Sequence, residues 1–126
     1  KPTTFCNLVA YVLFEHRYYR RLGRFGSYYV QPIVAGLENG EAVLASYDSI
    51  GAQCMIERFE VAGTGSEELM AICEAYYRPD MPAEELKFKL HQLITSACDR
   101  DMYSGWGGIV YMITANGIET TFLNTK

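Results

Sequence analysis

Between Asp99 and Gly108 the sequence reads Asp-Arg-Asp-Met-Tyr-Ser-Gly-Trp-Gly-Gly. Two carboxylates, a serine hydroxyl and three glycines fall within ten residues, and glycines there permit backbone conformations closed to other residues. A patterned helix precedes the stretch and an aliphatic strand follows it. Asp99 and Asp101 therefore stand at a helix C-terminus, where the helix dipole disfavours negative charge unless hydrogen-bond donors or a cation compensate. A carboxylate and a hydroxyl held in such a turn can orient a proton or an attacking group. The structural alternative is a carboxylate satisfied by Arg100 or by a turn amide, since structural networks perturb charges as catalytic ones do.

Other chemistry-bearing patterns are weaker. Gly63-Thr64-Gly65-Ser66 lacks the lysine and the six-residue frame of a phosphate-binding loop, so no nucleotide site is read there. Cys6, Cys54, Cys73 and Cys98 form no C-x-x-C pair and have no histidine cluster nearby, which fails the zinc and redox patterns; Cys6, Cys73 and Cys98 sit on or beside apolar helix faces, as buried thiols in a reducing compartment do. No metal and no cofactor is expected. His16 closes a helix without a partner in the pattern and reads as a surface or interface histidine. Arg17, Arg20, Arg21 and Arg24 crowd beside Tyr18 and Tyr19, a mixture that can bind single-stranded RNA. Their position at a helix end, where positive charge complements the dipole, favours capping or a protein contact.

The net charge of -4 gives polyanions no long-range attraction, so nucleic acid is not an expected partner. No run is long and apolar enough to span a membrane. A chain of 126 residues is the size of one domain, and 49% hydrophobic residues suffice for a core. Ten tyrosines point toward subunit contacts, because tyrosine joins a large apolar body to one polar tip. The first residue is Lys1, which leaves a processed or truncated start open.

The elements that position these residues follow from periodicity. Thr3 or Thr4 caps a helix with apolar positions Phe5, Leu8, Val9, Val12 and Leu13, ended by the basic cluster and Gly23. Tyr28 to Leu37 reads as a strand, with Pro32 assigning it to an edge or bulge. Glu38-Asn39-Gly40 turns it into a second strand, Glu41 to Tyr47. Asp48 to Gly51 is a further turn, and Phe59 to Ala62 a short third strand. Thr64 and Glu67 fit a capping box for a helix with the buried stripe Leu69, Ile72, Cys73 and Tyr76, ended by Pro79. Pro82 opens the next helix, whose apolar face is Leu86, Leu90, Leu93, Ile94 and Ala97; Lys87, Lys89 and His91 are expected in solvent. Ile109 to Ala115, Asn116-Gly117 and Ile118 to Leu123 form a second hairpin. The order predicts a layered α+β domain.

These residues resemble the proteasome β-type subunits, most of all the type-3 class. The likeness rests on Arg24-Phe25-Gly26 with Tyr28-Tyr29, Ala35-Gly36-Leu37, Asp48-x-Ile50-Gly51, Gly63-Thr64-x-Ser66, Cys73-Glu74, Pro79-Asp80-Met81, Asp99-Arg100-Asp101 and Ser104-Gly105-Trp106-Gly107. The resemblance implies the αββα sandwich of the N-terminal-nucleophile hydrolases, here incomplete. Residues 1–126 would be the C-terminal two thirds of one such domain, with the first strands missing.

In catalytic members a threonine at the mature N-terminus attacks and its own amine is the base. No nucleophile is assignable here, and Thr64, Asp101 and Ser104 match the supporting network, vestigial in the type-3 class. The implied function is a non-catalytic subunit of the β ring of the 20S core particle, supporting ATP- and ubiquitin-dependent protein degradation in cytoplasm and nucleus. Its partners would be the other α and β subunits and, through the particle, unfolded polypeptides. The open alternative is a threonine endopeptidase subunit whose nucleophile precedes Lys1. Asp48, Ala52 and Cys54 fall in the segment that, in type-3 subunits, lines a neighbouring active subunit's pocket. Ala52 and Cys54 depart from the cysteine and aspartate expected there, leaving Asp48 as the acidic residue.

Overall fold

A computed structural model of the chain describes residues 1–18 and 26–124. Its contacts divide into two compact units, Lys1–Glu60 and Val61–Lys126. The predicted helix end at Arg20, Arg21, Gly23 and Arg24 lies outside the described residues.

The first unit places helix α1 (Pro2–Tyr18) on an antiparallel meander of β1 (Ile33–Glu38), β2 (Glu41–Tyr47) and β3 (Gln53–Met55), in the order β1-β2-β3. Asn39 and Gly40 close the first hairpin with φ of 54° and 85°. Positive φ at both positions matches the twist of the flanking strands, which is why Asn-Gly serves there. The predicted strand from Tyr28 begins only at Ile33. Pro32 has no N–H to donate, yet its carbonyl accepts from the Tyr47 amide at 3.2 Å, and β1 is an edge strand.

The third strand is not Phe59 to Ala62. Residues 48–52 reverse the chain so tightly that it pairs back at once, with Ala45 opposite Met55 and Tyr47 opposite Gln53.

The buried face of helix α1 shares Leu13 and Val9 with the predicted one but is rotated toward Cys6 and Ala10. Cys6 and Leu13 are buried with Ala45 and Tyr47, flanked by Val9, Ala10, Val34 and Val43, while Phe5 and Leu8 remain more than half exposed. The helix is apolar around most of its circumference, so periodicity alone admits two faces. The small side chains at Cys6 and Ala10 let the backbone approach the sheet, and Tyr47 Oη donates to the Cys6 carbonyl at 2.9 Å. Burial, and then that bond, push the Tyr47 phenol well above the usual tyrosine range. Thr3 lies inside the first turn rather than capping it. Its hydroxyl and its amide (3.1 Å) both donate to the Glu38 carboxylate at the end of β1, which they hold below the usual range.

The second unit contains α2 (Ser66–Tyr76), α3 (Ala83–Cys98) and the antiparallel ribbon β4 (Gly108–Thr114) and β5 (Gly117–Leu123). Pro82 stands at the N-cap of α3, one residue ahead of its predicted first-turn place. Leu93 and Ala97 of α3 are buried, but α2 has no buried residue and its Tyr76 is 52% exposed. Two predicted solvent residues are engaged. Lys87 forms an ion pair with Glu119 of β5, which raises its pKa, and the Lys89 ammonium lies 4.8 Å from the centre of the Tyr76 ring. In the second hairpin Ala115 and Asn116 make the turn and only Gly117 has positive φ, 134°. Thr114 Oγ1 accepts from the Asn116 amide at 3.2 Å, a local bond that replaces the turn geometry of the first hairpin.

Alternation sends Val110 and Leu123 of the ribbon to the buried side, where an added Cβ on Gly108 would come within 2.8 Å of Ile94. The opposite face pairs Ile109 with Phe122 and Ile113 with Ile118, and all four are exposed. Among the described residues no helix is long and apolar enough to cross a membrane, and no group of His, Cys, Asp and Glu could hold a metal ion.

Candidate functional site

Helix α3 delivers Asp101. The amides of Arg100 and Asp101 both donate to the Ala97 carbonyl, at 3.1 and 2.9 Å, so the helix tightens at its end before the chain turns away. Asp101 then accepts three donors. Its Oδ1 takes the Tyr103 amide at 3.1 Å, and its Oδ2 takes the Ser104 hydroxyl at 2.6 Å together with the Thr64 hydroxyl. The Ser104 amide donates to the Asp101 carbonyl at 3.1 Å and closes the turn.

These donors answer the dipole problem at the helix end. The Ser104 hydroxyl first, then the Thr64 hydroxyl and the Tyr103 amide, hold the Asp101 carboxyl below the usual aspartate range. A carboxylate so held is a feeble base at neutral pH, because an efficient general base has a pKa near the working pH. Both hydroxyl protons are directed at Asp101, an arrangement suited to fixing the two loops.

Thr64 is therefore not the cap of α2. The N-cap is Gly65, with no side-chain capping bond, because the threonine hydroxyl is engaged by an ionised acceptor. Gly65 is buried, and a Cβ there would sit 3.4 Å from Asp101 Oδ2. The pairing spans 37 positions, and no local pattern reports it.

The rest of the turn is tightly constrained at its base and exposed at its tip. Gly107 has φ of 137°, and an added Cβ would lie 2.5 Å from the Leu123 carbonyl oxygen. Trp106 adopts φ of 66°, uncommon for a bulky residue, and with Met102 and Tyr103 projects into solvent.

The other predicted group lies in the first unit. Asp48 follows β2, while Ala52 and Cys54 are exposed on the way into and within β3. Asp48 Oδ1 accepts from the amides of Ile50 (3.0 Å) and Ala52 (2.8 Å). At the end of α1, His16 Nε2 lies 3.1 Å from the Tyr28 hydroxyl with the rings stacked obliquely, a partner that the helical pattern gave no sign of.

The family model described as "Proteasome subunit" matches residues 1–113. The chain belongs to the proteasome subunit family. It is 44% identical over 127 residues to proteasome subunit beta type-3-A of Arabidopsis thaliana, covering 100% of this chain and 59% of that protein. It is 43% identical to proteasome subunit beta type-3 of Picea mariana, covering 94% of this chain and 55% of that protein. Proteasome subunit beta type-3 of Saccharomyces cerevisiae is 36% identical over 128 residues, 100% of this chain and 59% of that protein. The chain thus spans less than two thirds of the length of these relatives. Membership of the proteasome family implies the N-terminal-nucleophile hydrolase fold, and the mixed helix and sheet of both units agree with an α+β class.

Proposed function

We propose that this chain is part of a non-catalytic subunit of the β ring of the 20S proteasome core particle, acting in cytoplasm and nucleus in ATP- and ubiquitin-dependent protein degradation. The observation that carries the reading is the likeness to beta type-3 subunits across the whole chain, at 32% to 44% identity. The partners are the other α and β subunits, and unfolded polypeptides reach the chain through the particle. Thr64, Asp101 and Ser104 serve as a structural remnant of a catalytic surround, and the segment from Asp48 through Ala52 to Cys54 lines a neighbouring active subunit's substrate pocket.

The fold proposed with this function is one β-type domain over residues 1–126, built as an αββα sandwich without its first strands. Two features support it. Each unit covers one sheet face with helix, and each leaves apolar strand residues in solvent, Ile33 in part in the first and Ile109 and Phe122 in the second. A layered domain buries such faces against a second sheet.

The test tags the chain within its full subunit and recovers it under native conditions. The expected result is co-purification in a particle with α and β subunits, and no labelling of the tagged subunit by a threonine-directed covalent inhibitor that labels its neighbours. Labelling of the tagged subunit would favour the endopeptidase alternative, and recovery as a single chain would remove the ring assignment.

A further inference from the structure

We propose that Asp48 is a positioning residue: it fixes the shape of the 48–54 segment and does not act by presenting negative charge. The inference rests on the proposed pocket-lining role of that segment and assigns the means by which Asp48 serves it. Four hydrogen bonds close the loop upon Asp48. Its amide donates to the Ala52 carbonyl at 3.2 Å, and its carbonyl accepts from the Gly51 amide at 3.3 Å. Its Oδ1 accepts from both Ile50 and Ala52, at 3.0 and 2.8 Å. One carboxylate oxygen, Oδ1, is thus committed to the loop's own amides, as in an aspartate that mimics a backbone turn.

The apex of that loop is also wedged against α1. Gly51 has φ of +93°, and a Cβ there would lie 2.7 Å from the Ala10 carbonyl oxygen and 2.9 Å from the Phe14 nitrogen. With Gly51 pressed on a helix backbone and Gln53 and Cys54 paired to Tyr47 and Ser46, Asp48 is the side chain that ties the intervening residues down. Asp48, Ala52 and Cys54 are all exposed, and of the three Asp48 is the one whose side chain holds the loop's own amides. A wall of this kind contributes to specificity through its place, and a small misplacement of a positioning group lowers turnover or binding strongly.

The substitutions separate shape from charge. Asp48→Asn keeps an oxygen for both amides and removes the charge. Asp48→Glu keeps the charge and moves it one methylene away, and Asp48→Ala removes both. Each is introduced into the full subunit of assembled particles, and peptide cleavage after basic residues is measured together with hydrogen exchange of the 47–55 segment. Asp48→Asn should match the wild type in both readouts. Asp48→Ala and Asp48→Glu should expose the Ile50 and Ala52 amides and raise KM by about tenfold with kcat little changed, the size of one lost pocket contact. Loss of cleavage in Asp48→Asn with exchange protection intact would overturn the proposal in favour of charge, and so would retained protection in Asp48→Ala. Lost protection in Asp48→Ala with unchanged cleavage would uphold the positioning of the loop and remove its pocket role, which keeps the two failures apart. Where Asp48→Ala fails to assemble, Asp48→Glu supplies the loss of shape with the charge kept, and wild-type protection and cleavage in it would overturn the proposal in the same way.

Discussion

Phe122 stands on the bare face of the β4–β5 ribbon, opposite Ile109, with 75% of its surface exposed. Replacing it with serine separates two states of that face. If the ribbon is one layer of a sandwich, the phenyl ring is covered in the complete subunit. An aromatic side chain covers about 150–250 Å², so three quarters of it leaves roughly 150 Å² to be buried. At ~25 cal/mol per Å² that area is worth about 4 kcal/mol, or nearly three decades in an equilibrium constant at 1.4 kcal/mol per decade. If the face remains in water, a surface change should stay within about 0.5 kcal/mol. The assay compares tagged wild-type and Phe122→Ser subunits for the fraction recovered in assembled particles on native gels and for the midpoint of denaturation. A large fall in both is expected. Wild-type incorporation with an unchanged midpoint would refute the covered face, and with it the sandwich arrangement proposed for this ribbon.

Three further outcomes follow from the geometry. Asp101 has a lowered folded pKa, so its stabilising contribution is fully present above the unfolded value and is lost as pH falls through the lower folded value. The Tyr103 amide resonance, whose N–H donates to Asp101 Oδ1, should hold its shift on acidification until below the ordinary aspartate value of 3.8, and in Asp101→Ala it should be displaced already at neutral pH; an unmoved resonance in the variant would contradict the pinned turn. Gly107→Ala should cost about 2–3 kcal/mol, from left-handed strain plus contact with a β5 carbonyl, whereas Gly40→Ala, with open space around it, should cost about 1 kcal/mol; equal urea midpoints for the two would be the contrary result. Tyr47→Phe should lower stability by about 1 kcal/mol through loss of the bond to the Cys6 carbonyl, read as a shifted urea midpoint with unchanged slope, and no shift would mean that the bond is dispensable.

The sequence was most informative where structure is local. Asn39-Gly40 specifies both its turn and the register of β1 on β2, because positive φ at two adjacent positions is open to few residue pairs. Asn116-Gly117 has the same letters and a different turn, since Thr114 supplies an oxygen to the Asn116 amide. Pattern matching cannot distinguish them, for the competing acceptor lies outside the dipeptide. The third strand was misplaced for a similar reason. Phe59 to Ala62 has strand composition, yet the pairing partner of β2 was decided by how sharply residues 48–52 fold back on themselves.

What the sequence determined by itself is therefore the kinds of element and their order, one helix, three strands, two helices and two strands. Tertiary structure alone decided which face of α1 meets the sheet, because an almost wholly apolar helix carries no preference until the sheet's shape selects Cys6 and Ala10. It also decided the fate of the Thr64 hydroxyl. By its sequence context Thr64 has the features of a cap, but an ionised carboxylate brought from 37 residues away is a stronger acceptor partner for that hydroxyl's proton than anything local, and only the folded chain puts it within reach.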